Sequence, residues 1–449
     1  MTNSSEAVRV GILALHNSKE SKAICNAVEA LGHEPEWLRS ENTAIGVQDG
    51  EVTVEPGVDV VANRLLLSNT PQPCEELGLA RMFEPAVPML NPPMPVMTAF
   101  HKFSAAAVLA RADLPVPNAY FALDSGTLNA ERHRFGESAV HKTAIGTHGG
   151  GTWRVGMGDE VNARVGTRRA FLQQLIGGED GPPRDVRVYV VGGEVFGAMY
   201  RYAPENDWRT NVALGGSVED ASDELTEEAR EIAIAATAAI GLDYAGVDLV
   251  AGDDGWYILE VNPTAGFKGL YEATQRSPAS WIARLAIERV GGDVDDQRVQ
   301  ELEGTLDDSV PACRPPPRRP ATSGQYSVGL TEEVLVTGSS DTKRVVAKSD
   351  TGAARSSIDT ALAADIGAGP IKNITRIKSG SQKEARTRPL VDVIFGIASK
   401  QHTVTASIED RSHMDYPVLL GRDVLRYYQV DVTRGVDSGG TVEAEEIEQ

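Results

Sequence analysis

Ala245-Gly246-Val247-Asp248-Leu249-Val250 and Trp256-Tyr257-Ile258-Leu259-Glu260-Val261-Asn262, with Gly252-Asp253-Asp254-Gly255 between them, read as two apolar strands joined by a tight turn. Asp248, Glu260 and Asn262 interrupt otherwise apolar runs. Side chains two apart on a strand share a face, so Glu260 and Asn262 can hold one cation together. An acid among apolar neighbours is costly unless it is paired or metal-bound. Oxygen-only ligands suit Mg²⁺ bridging the phosphates of a nucleotide. The same residues also fit an ordinary solvated hairpin with incidental acids.

Upstream, Lys142-Thr143-Ala144-Ile145-Gly146-Thr147-His148-Gly149-Gly150-Gly151 follows the strand-like Ser138-Ala139-Val140-His141. Glycines let backbone N–H groups close on phosphate oxygens, and a lysine at a strand end supplies a point charge. No GK[ST] follows, so this is not a Walker loop, and alone it fits a plain flexible hairpin as well. Between the two clusters, residues 186–191, the pair Gly192-Gly193 and residues 194–202 predict a two-residue β-hairpin.

Further out, residues 8–15 form an apolar run followed by Asn17-Ser18, a helical pattern through Ala30 and then Gly32, which predicts a β-α opening. Residues 58–64 predict another buried strand, and Asn91-Pro92-Pro93-Met94-Pro95 predicts a boundary. Residues 293–325 lose periodicity and gather prolines around Arg318-Arg319, as a stiff linker does. Short strand-like runs then continue to about Val432, and the acidic end from Asp437 to Gln449 predicts disorder.

The chain has 449 residues, enough for two or three domains, and 41% of them are apolar. Its 64 acids against 43 bases leave a net charge of −21, which repels phosphate backbones and disfavours nucleic acid. Such a surface also suits a high-salt cytoplasm. No apolar run is long enough for a membrane span, so a soluble cytoplasmic protein is expected. Cys25, Cys74 and Cys313 are scattered and odd in number, so neither a disulfide framework nor a cysteine zinc site is suggested.

Together, residues 96–290 resemble the RimK branch of the ATP-grasp ligases. The resemblance rests on the AGVD strand, Glu260-Val261-Asn262 followed by Gly266-Phe267-Lys268-Gly269, Lys142 with its glycine loop, Asp185-Val186-Arg187, and Asp207-Trp208-Arg209-Thr210-Asn211. It implies an α/β (α+β) ATP-grasp fold over residues 96–292, preceded by a pre-ATP-grasp α/β domain over residues 1–95. It implies ATP and Mg²⁺ (or Mn²⁺) as cofactors, and an amide bond made through an acyl phosphate. The partners it implies are an amino-acid donor, plausibly glutamate, and an amine or carboxylate acceptor such as a protein terminus.

Carried over residue by residue, the resemblance implies that Lys102 and Lys142 contact phosphates, with Gly146, Thr147, Gly149, Gly150, Gly151 and Asp185 at the nucleotide. Gln173, Gln174, Leu175 and Ile176 would face adenine. Asp248, Glu260 and Asn262 would ligate Mg²⁺, and Arg187, Arg201, Arg209 and Asn211 would line the acyl-phosphate and substrate side. Two departures stand out: Gln-Gln-Leu-Ile where the family usually has Gln-Glu-Tyr or Phe-Ile, and Asn-Pro-Thr-Ala-Gly where Asn-x-x-Pro-Gly is usual.

Residues 326–432 place Asp350-Thr351-Gly352-Ala353 after a strand, and the apolar Pro417-Val418-Leu419-Leu420 leads later into Gly421-Arg422-Asp423. With the stretch from Ile408 to Pro417, this resembles the retropepsin-like family labelled an ATP-dependent zinc protease, an all-β barrel. The resemblance implies Asp350 as a catalytic carboxylate. One chain supplies only one such Asp, so peptidase action needs a homo-oligomer. A catalytically silent domain that binds the ligase product or the target peptide is the other reading. Residues 433–449 are expected as an acidic tail.

Overall fold

A computed structural model of the chain describes residues 7–67, 70, 73–146, 151–166, 168–177, 183–205, 207–210, 216–315, 326–377, 386–397 and 400–436. The chain divides into two compact units, Met1–Pro317 and Arg318–Gln449. Among the described residues no helix is long and apolar enough to cross a membrane.

The first unit opens with a parallel sheet in the order Glu34–Leu38, Arg9–Leu13, Val60–Asn63, Met89–Leu90. Its central strands are continuous apolar runs because both faces are covered: Val10, Ile12, Leu13, Val60, Val61 and Ala62 are all fully buried. Helix Lys19–Ala30 starts where the Ser18 hydroxyl accepts the Ser21 N–H, and the chain leaves it through Gly32 at φ +85°.

The main sheet is antiparallel, in the order Ser217–Asp220, Glu194–Tyr202, Arg184–Val191, Tyr244–Gly252, Gly255–Asn262. Gly192 and Gly193, at φ +61° and +83°, make the expected two-residue turn, which only a left-handed backbone closes this tightly. One face of this sheet carries Val186, Val188, Val190, Ala198, Val247, Leu249, Ile258 and Val261. It packs on helix Glu227–Ile240, whose Ala229, Ile232, Ala233, Ala236 and Ile240 form the matching stripe. A smaller lobe is built from Ser138–Thr143, Thr152–Gly156, Arg164–Val165, Arg168–Gln174 and Ala119–Tyr120.

Two expectations change. The Pro-rich stretch after residue 90 does not separate one body from another: fully buried Asn91 takes the Asp243 N–H on its carbonyl oxygen (2.8 Å) and donates to the Tyr244 and Pro263 carbonyls (both 2.9 Å). The linker expected from residue 293 instead begins with helix Asp296–Glu303, capped by Asp295. Glu303 accepts from Arg276 and from the Trp281 indole (each 2.6 Å), and Asn26 holds the Asp307 and Ser309 carbonyls. With Val299 as its single buried apolar position, this helix had no period to recognise. Cys25 and Cys313, far apart in sequence, meet thiol to thiol: burial pushes Cys25 up, while the hydrogen bond from Cys25 lowers Cys313.

The second unit is a closed six-stranded barrel. Its order runs Thr331–Thr337, Thr342–Ser349, Val418–Leu420, Ser357–Asp359, Lys400–Glu409, Arg386–Ile397 and back to Thr331–Thr337, with Asn373–Ile377 as a seventh strand on Arg386–Ile397. Closure removes free sheet edges around the ring. Beside the barrel, Ser327–Gly329 and Gln429–Asp431 pair in parallel. The expected tail over residues 437–449 lies outside the described residues.

Candidate active site

The face of the main sheet opposite helix Glu227–Ile240 holds the chemistry. Register places Arg187 opposite both Asp248 and Met199, Asp185 opposite Arg201, Asp248 opposite Glu260 and Gly246 opposite Asn262. Alternation then brings Asp185, Arg187, Arg201, Asp248, Glu260 and Asn262 to one side. A bulge makes this possible: Asp248 faces Glu260 but Leu249 faces Ile258, so Leu259 is the extra residue. Without it, the acid strand would slip one position and turn Glu260 and Asn262 into the apolar core.

These charges neutralise one another. Arg187 holds Asp248 through Nε–Oδ1 at 2.6 Å and Nη2–Oδ2 at 2.8 Å, and Arg201 Nη2 reaches the same Oδ2 at 2.9 Å. Arg201 also grips Asp185 (2.7 and 2.6 Å), which accepts from the Thr210 hydroxyl. Burial pushes the Asp248 carboxyl up, but the two guanidiniums outweigh it and hold it at about 2. Burial raises Glu260 too, and Lys102, its ion-pair partner, together with Lys142 brings it below the usual carboxylate range. Lys142 is 5% exposed, and burial pushes its ammonium down to about 8 against the pull of Glu260.

A cleft of about 410 Å³, within the usual range for small-molecule sites, is lined by Lys102, Lys142, Gly146, Gly151, Gln173, Gln174, Leu175, Ile176, Asp185, Arg201, Arg209, Asp248 and Glu260. Arg187 and Asn262 stand outside this lining, Arg187 behind Asp248 and Asn262 with its Nδ2 at 3.3 Å from Asp248 Oδ2. Thr147, Gly149, Gly150 and Asn211 lie outside the described residues. Arg209 pairs with Asp207, whose carboxyl its hydrogen bonds hold at about 2. The lining residues that sequence reasoning did not expect at the site include Arg154, Arg184, Trp208 and Thr210. Trp208 and Thr210 sit inside the Asp207-to-Asn211 motif, whereas nothing marks Arg154 on its polar strand.

Among the described residues no three His, Cys, Asp or Glu side chains form a metal cluster. The candidate set is instead two carboxylates and an amide, all hard oxygen donors on one face. Asn262 spends its Nδ2 on the Gly246 carbonyl and on Asp248, which leaves its carbonyl oxygen for a cation. Asp248 and Glu260 are both held ionised. This donor set fits Mg²⁺, which takes few protein ligands and completes its shell with water and phosphate oxygens.

In the second unit, Asp350 ends strand Thr342–Ser349 and folds its carboxylate back onto the Gly352 and Ala353 N–H groups (2.8 and 3.1 Å). Gly421-Arg422-Asp423 locks this turn: Arg422 donates to the Thr351 and Gly352 carbonyls, and Asp423 accepts the Ser356 N–H and hydroxyl.

A RimK-like ATP-grasp domain matches residues 99–284. The tetrahydromethanopterin:alpha-L-glutamate ligase of Methanocaldococcus jannaschii is 34% identical over 212 residues, 45% of this chain and 72% of that one. A probable alpha-L-glutamate ligase 2 of Hahella chejuensis is 28% identical over 300 residues, 63% of this chain and 96% of that one. Among solved structures, the ATP-grasp ligase PsnB complexed with a minimal precursor superposes with a TM-score of 0.51 at 20% identity, over 63% of this chain and 100% of that one, a likeness of fold. With a glutamate ligase matched at this identity over most of its length, the chain belongs to the RimK-like ATP-grasp family.

Proposed function

We propose that the chain is an ATP- and Mg²⁺-dependent carboxylate–amine ligase that adds an amino acid, glutamate in the leading reading, to a protein terminus or a small acceptor. The observation that carries this reading is the single cleft in which two lysines, the segment from Gln173 to Ile176 and the carboxylates Asp248 and Glu260 meet. A substrate carboxylate oxygen attacks the γ-phosphorus of ATP, ADP leaves, and the acyl phosphate forms. The amine then attacks the acyl carbon, gives up a proton, and phosphate departs with that oxygen. Bound Mg²⁺ would screen the phosphate charges from Asp248, Glu260 and Asn262 and draw electron density toward the leaving oxygen. Lys102 and Lys142 offset negative charge on the transferred group, and Arg201 and Arg209 orient the carboxylate and stabilise charge as it moves. Arg187 keeps Asp248 ionised and aimed. No protein nucleophile is needed.

For the second unit, the reading is a retropepsin-like domain that trims or recognises the ligated product. The closed barrel and the Asp350 turn clamped by Gly421-Arg422-Asp423 favour it. Cleavage by Asp350 would require the same residue from a second copy in a homo-oligomer, because a water is activated by two carboxylates sharing a proton. An alternative makes the chain a peptidase or peptide-binding protein whose ATP-binding part regulates it.

The test is phosphate release with Mg-ATP in high salt across amino acids and acceptors, with Glu260→Ala as control. Release that needs an amino-acid and acceptor pair and vanishes in the variant supports the ligase and names its substrates. Silence across the screen by a folded, ATP-binding protein turns the reading to the peptide-processing alternative.

A further inference from the structure

Strand Gly255–Asn262 ends on Asn262, the amide of the Mg²⁺ donor set, and the chain leaves it at once through Pro263. The Asn262 side chain is loosely held. Its Nδ2 lies 3.3 Å from both the Gly246 carbonyl and Asp248 Oδ2, at the long end of the hydrogen-bond range. Its aim therefore depends on the main chain that carries it. Pro263 restricts the residue before it to extended backbone, and it brings a carbonyl to the turn but no N–H.

That carbonyl is taken by a side chain of the parallel sheet. Asn91, fully buried just past strand Met89–Leu90, donates from Nδ2 to the Pro263 and Tyr244 carbonyls, both at 2.9 Å. Its Oδ1 accepts the Asp243 and Tyr244 N–H groups at 2.8 and 3.2 Å. Its own N–H reaches the Asp243 carboxylate at 2.6 Å, and its carbonyl accepts from Asn63 Nδ2 at 3.0 Å. One residue thus ties the carboxyl end of the parallel sheet to the start of strand Tyr244–Gly252, which carries Asp248, and to the first residue beyond Asn262.

The backbone explains the residue type. Asn91 has φ +53°, a left-handed conformation that Gly and Asn adopt most readily. Gly would satisfy the backbone alone, and Asp would have no donor for the two carbonyls. The rest of the turn is also held by side chains: the Ala265 carbonyl by Arg64 (3.2 Å), the Gly266 carbonyl by the Tyr189 hydroxyl (2.5 Å) and the Phe267 N–H by Glu20 (3.2 Å). Of these contacts, the one from Asn91 is next to Asn262. Asn91 itself lines neither the nucleotide cleft nor the smaller cavity beside Lys102 and Glu260.

We propose that Asn91 is a positioning residue for the metal site: by holding the Pro263 carbonyl it aims the Asn262 carbonyl oxygen at the cation shared with Asp248 and Glu260. Asn91 sets the affinity for the metal and leaves that for the nucleotide untouched. This rests on the Mg²⁺-dependent ligase reading above.

The experiment measures Mn²⁺ binding to the full chain with ADP, from the loss of the free Mn²⁺ paramagnetic resonance signal. It compares wild type, Asn91→Gly, Asn262→Ala and the double variant, with ADP affinity in chelator and the melting temperature recorded alongside. Glycine keeps the left-handed backbone and removes only the amide. Asn91→Gly is expected to bind Mn²⁺ about tenfold more weakly, with metal-free ADP affinity within about twofold of wild type. The double variant should bind Mn²⁺ no more weakly than Asn262→Ala alone, because the ligand through which Asn91 acts is already gone. A folded Asn91→Gly protein with wild-type Mn²⁺ affinity overturns the proposal, and so do losses that add in the double variant, which mark a role in folding alone. Should Asn91→Gly not fold, Asn63→Ala decides, since it frees the Asn91 carbonyl and the Leu65 N–H but leaves the amide in place. It is expected to weaken Mn²⁺ binding by about threefold, a part of the full loss, and an unchanged affinity overturns the proposal. A wild type that binds no ADP, or an Asn262→Ala protein that binds Mn²⁺ like wild type, instead overturns the ligase reading with its Mg²⁺ site, and this proposal with it.

Discussion

The two units employ buried charge in opposite ways. In the barrel, Asp359 caps helix Thr360–Asp365 and accepts the Arg411 N–H, while Arg411 donates to the Tyr416 carbonyl and the Ser357 hydroxyl. Asp359 is answered by main-chain N–H groups of fixed geometry, and Arg411 divides its donors among a carbonyl, a hydroxyl and the Glu409 carboxylate at 3.5 Å. In the ligase unit, Asp185, Arg187, Arg201, Asp248, Glu260 and Lys102 answer one another around a cleft. Charge satisfied by backbone is architecture. Charge satisfied by preorganised side chains around a cavity can be handed to a ligand at little reorganisation cost.

Asp248→Asn should break this contrast most severely if it is wrong. The change strips the partner from Arg187, and phosphate release should fall by roughly 10³-fold, the scale of losing a preorganised electrostatic group. A fall of less than tenfold in a stopped or continuous phosphate assay would make the acid face architecture like the barrel's.

Lys142 gives an intermediate effect. With its ammonium at about 8, the proton is lost as pH rises through that value, so ATP affinity should be about tenfold weaker at pH 9 than at pH 7. Lys142→Arg stays charged and should flatten the profile in a nucleotide titration. The sign for stability is the reverse: between about 8 and the ordinary 10.5 the unfolded chain holds the proton and the folded one does not, so this residue makes the fold gain stability as pH rises through that window.

Asp359→Ala should have the smallest effect on catalysis. It removes a helix cap and the acceptor of the Arg411 N–H, and should destabilise the barrel by about 2–3 kcal/mol in denaturant melts. Phosphate release should stay within twofold. A larger loss would mean that the barrel's charges serve the ligase.

What could be read in the sequence follows the same division. Asp248, Glu260 and Asn262 were legible because a polar residue in a period-two apolar run is costly and conspicuous, and the Gly192-Gly193 hairpin because two residues alone close it. The Leu259 bulge was not legible, since the extra residue is as apolar as its neighbours. Nor was Arg64, whose setting is made by Ala265 and Phe267 some 200 residues away. The meeting of Cys25 with Cys313 and the docking of helix Asp296–Glu303 likewise arise from tertiary contacts that no local pattern encodes.

The parallel pairing of Ser327–Gly329 with Gln429–Asp431 joins the two ends of the barrel unit side by side, reinforced by the Leu330 N–H on the Arg434 carbonyl and the Thr331 hydroxyl on Val436. Tension applied at the two ends therefore runs along the strands and loads these bonds together in shear, rather than peeling them one after another. An unfolding machine that pulls on either flank would meet a mechanical latch at the first step, before any of the barrel core is exposed.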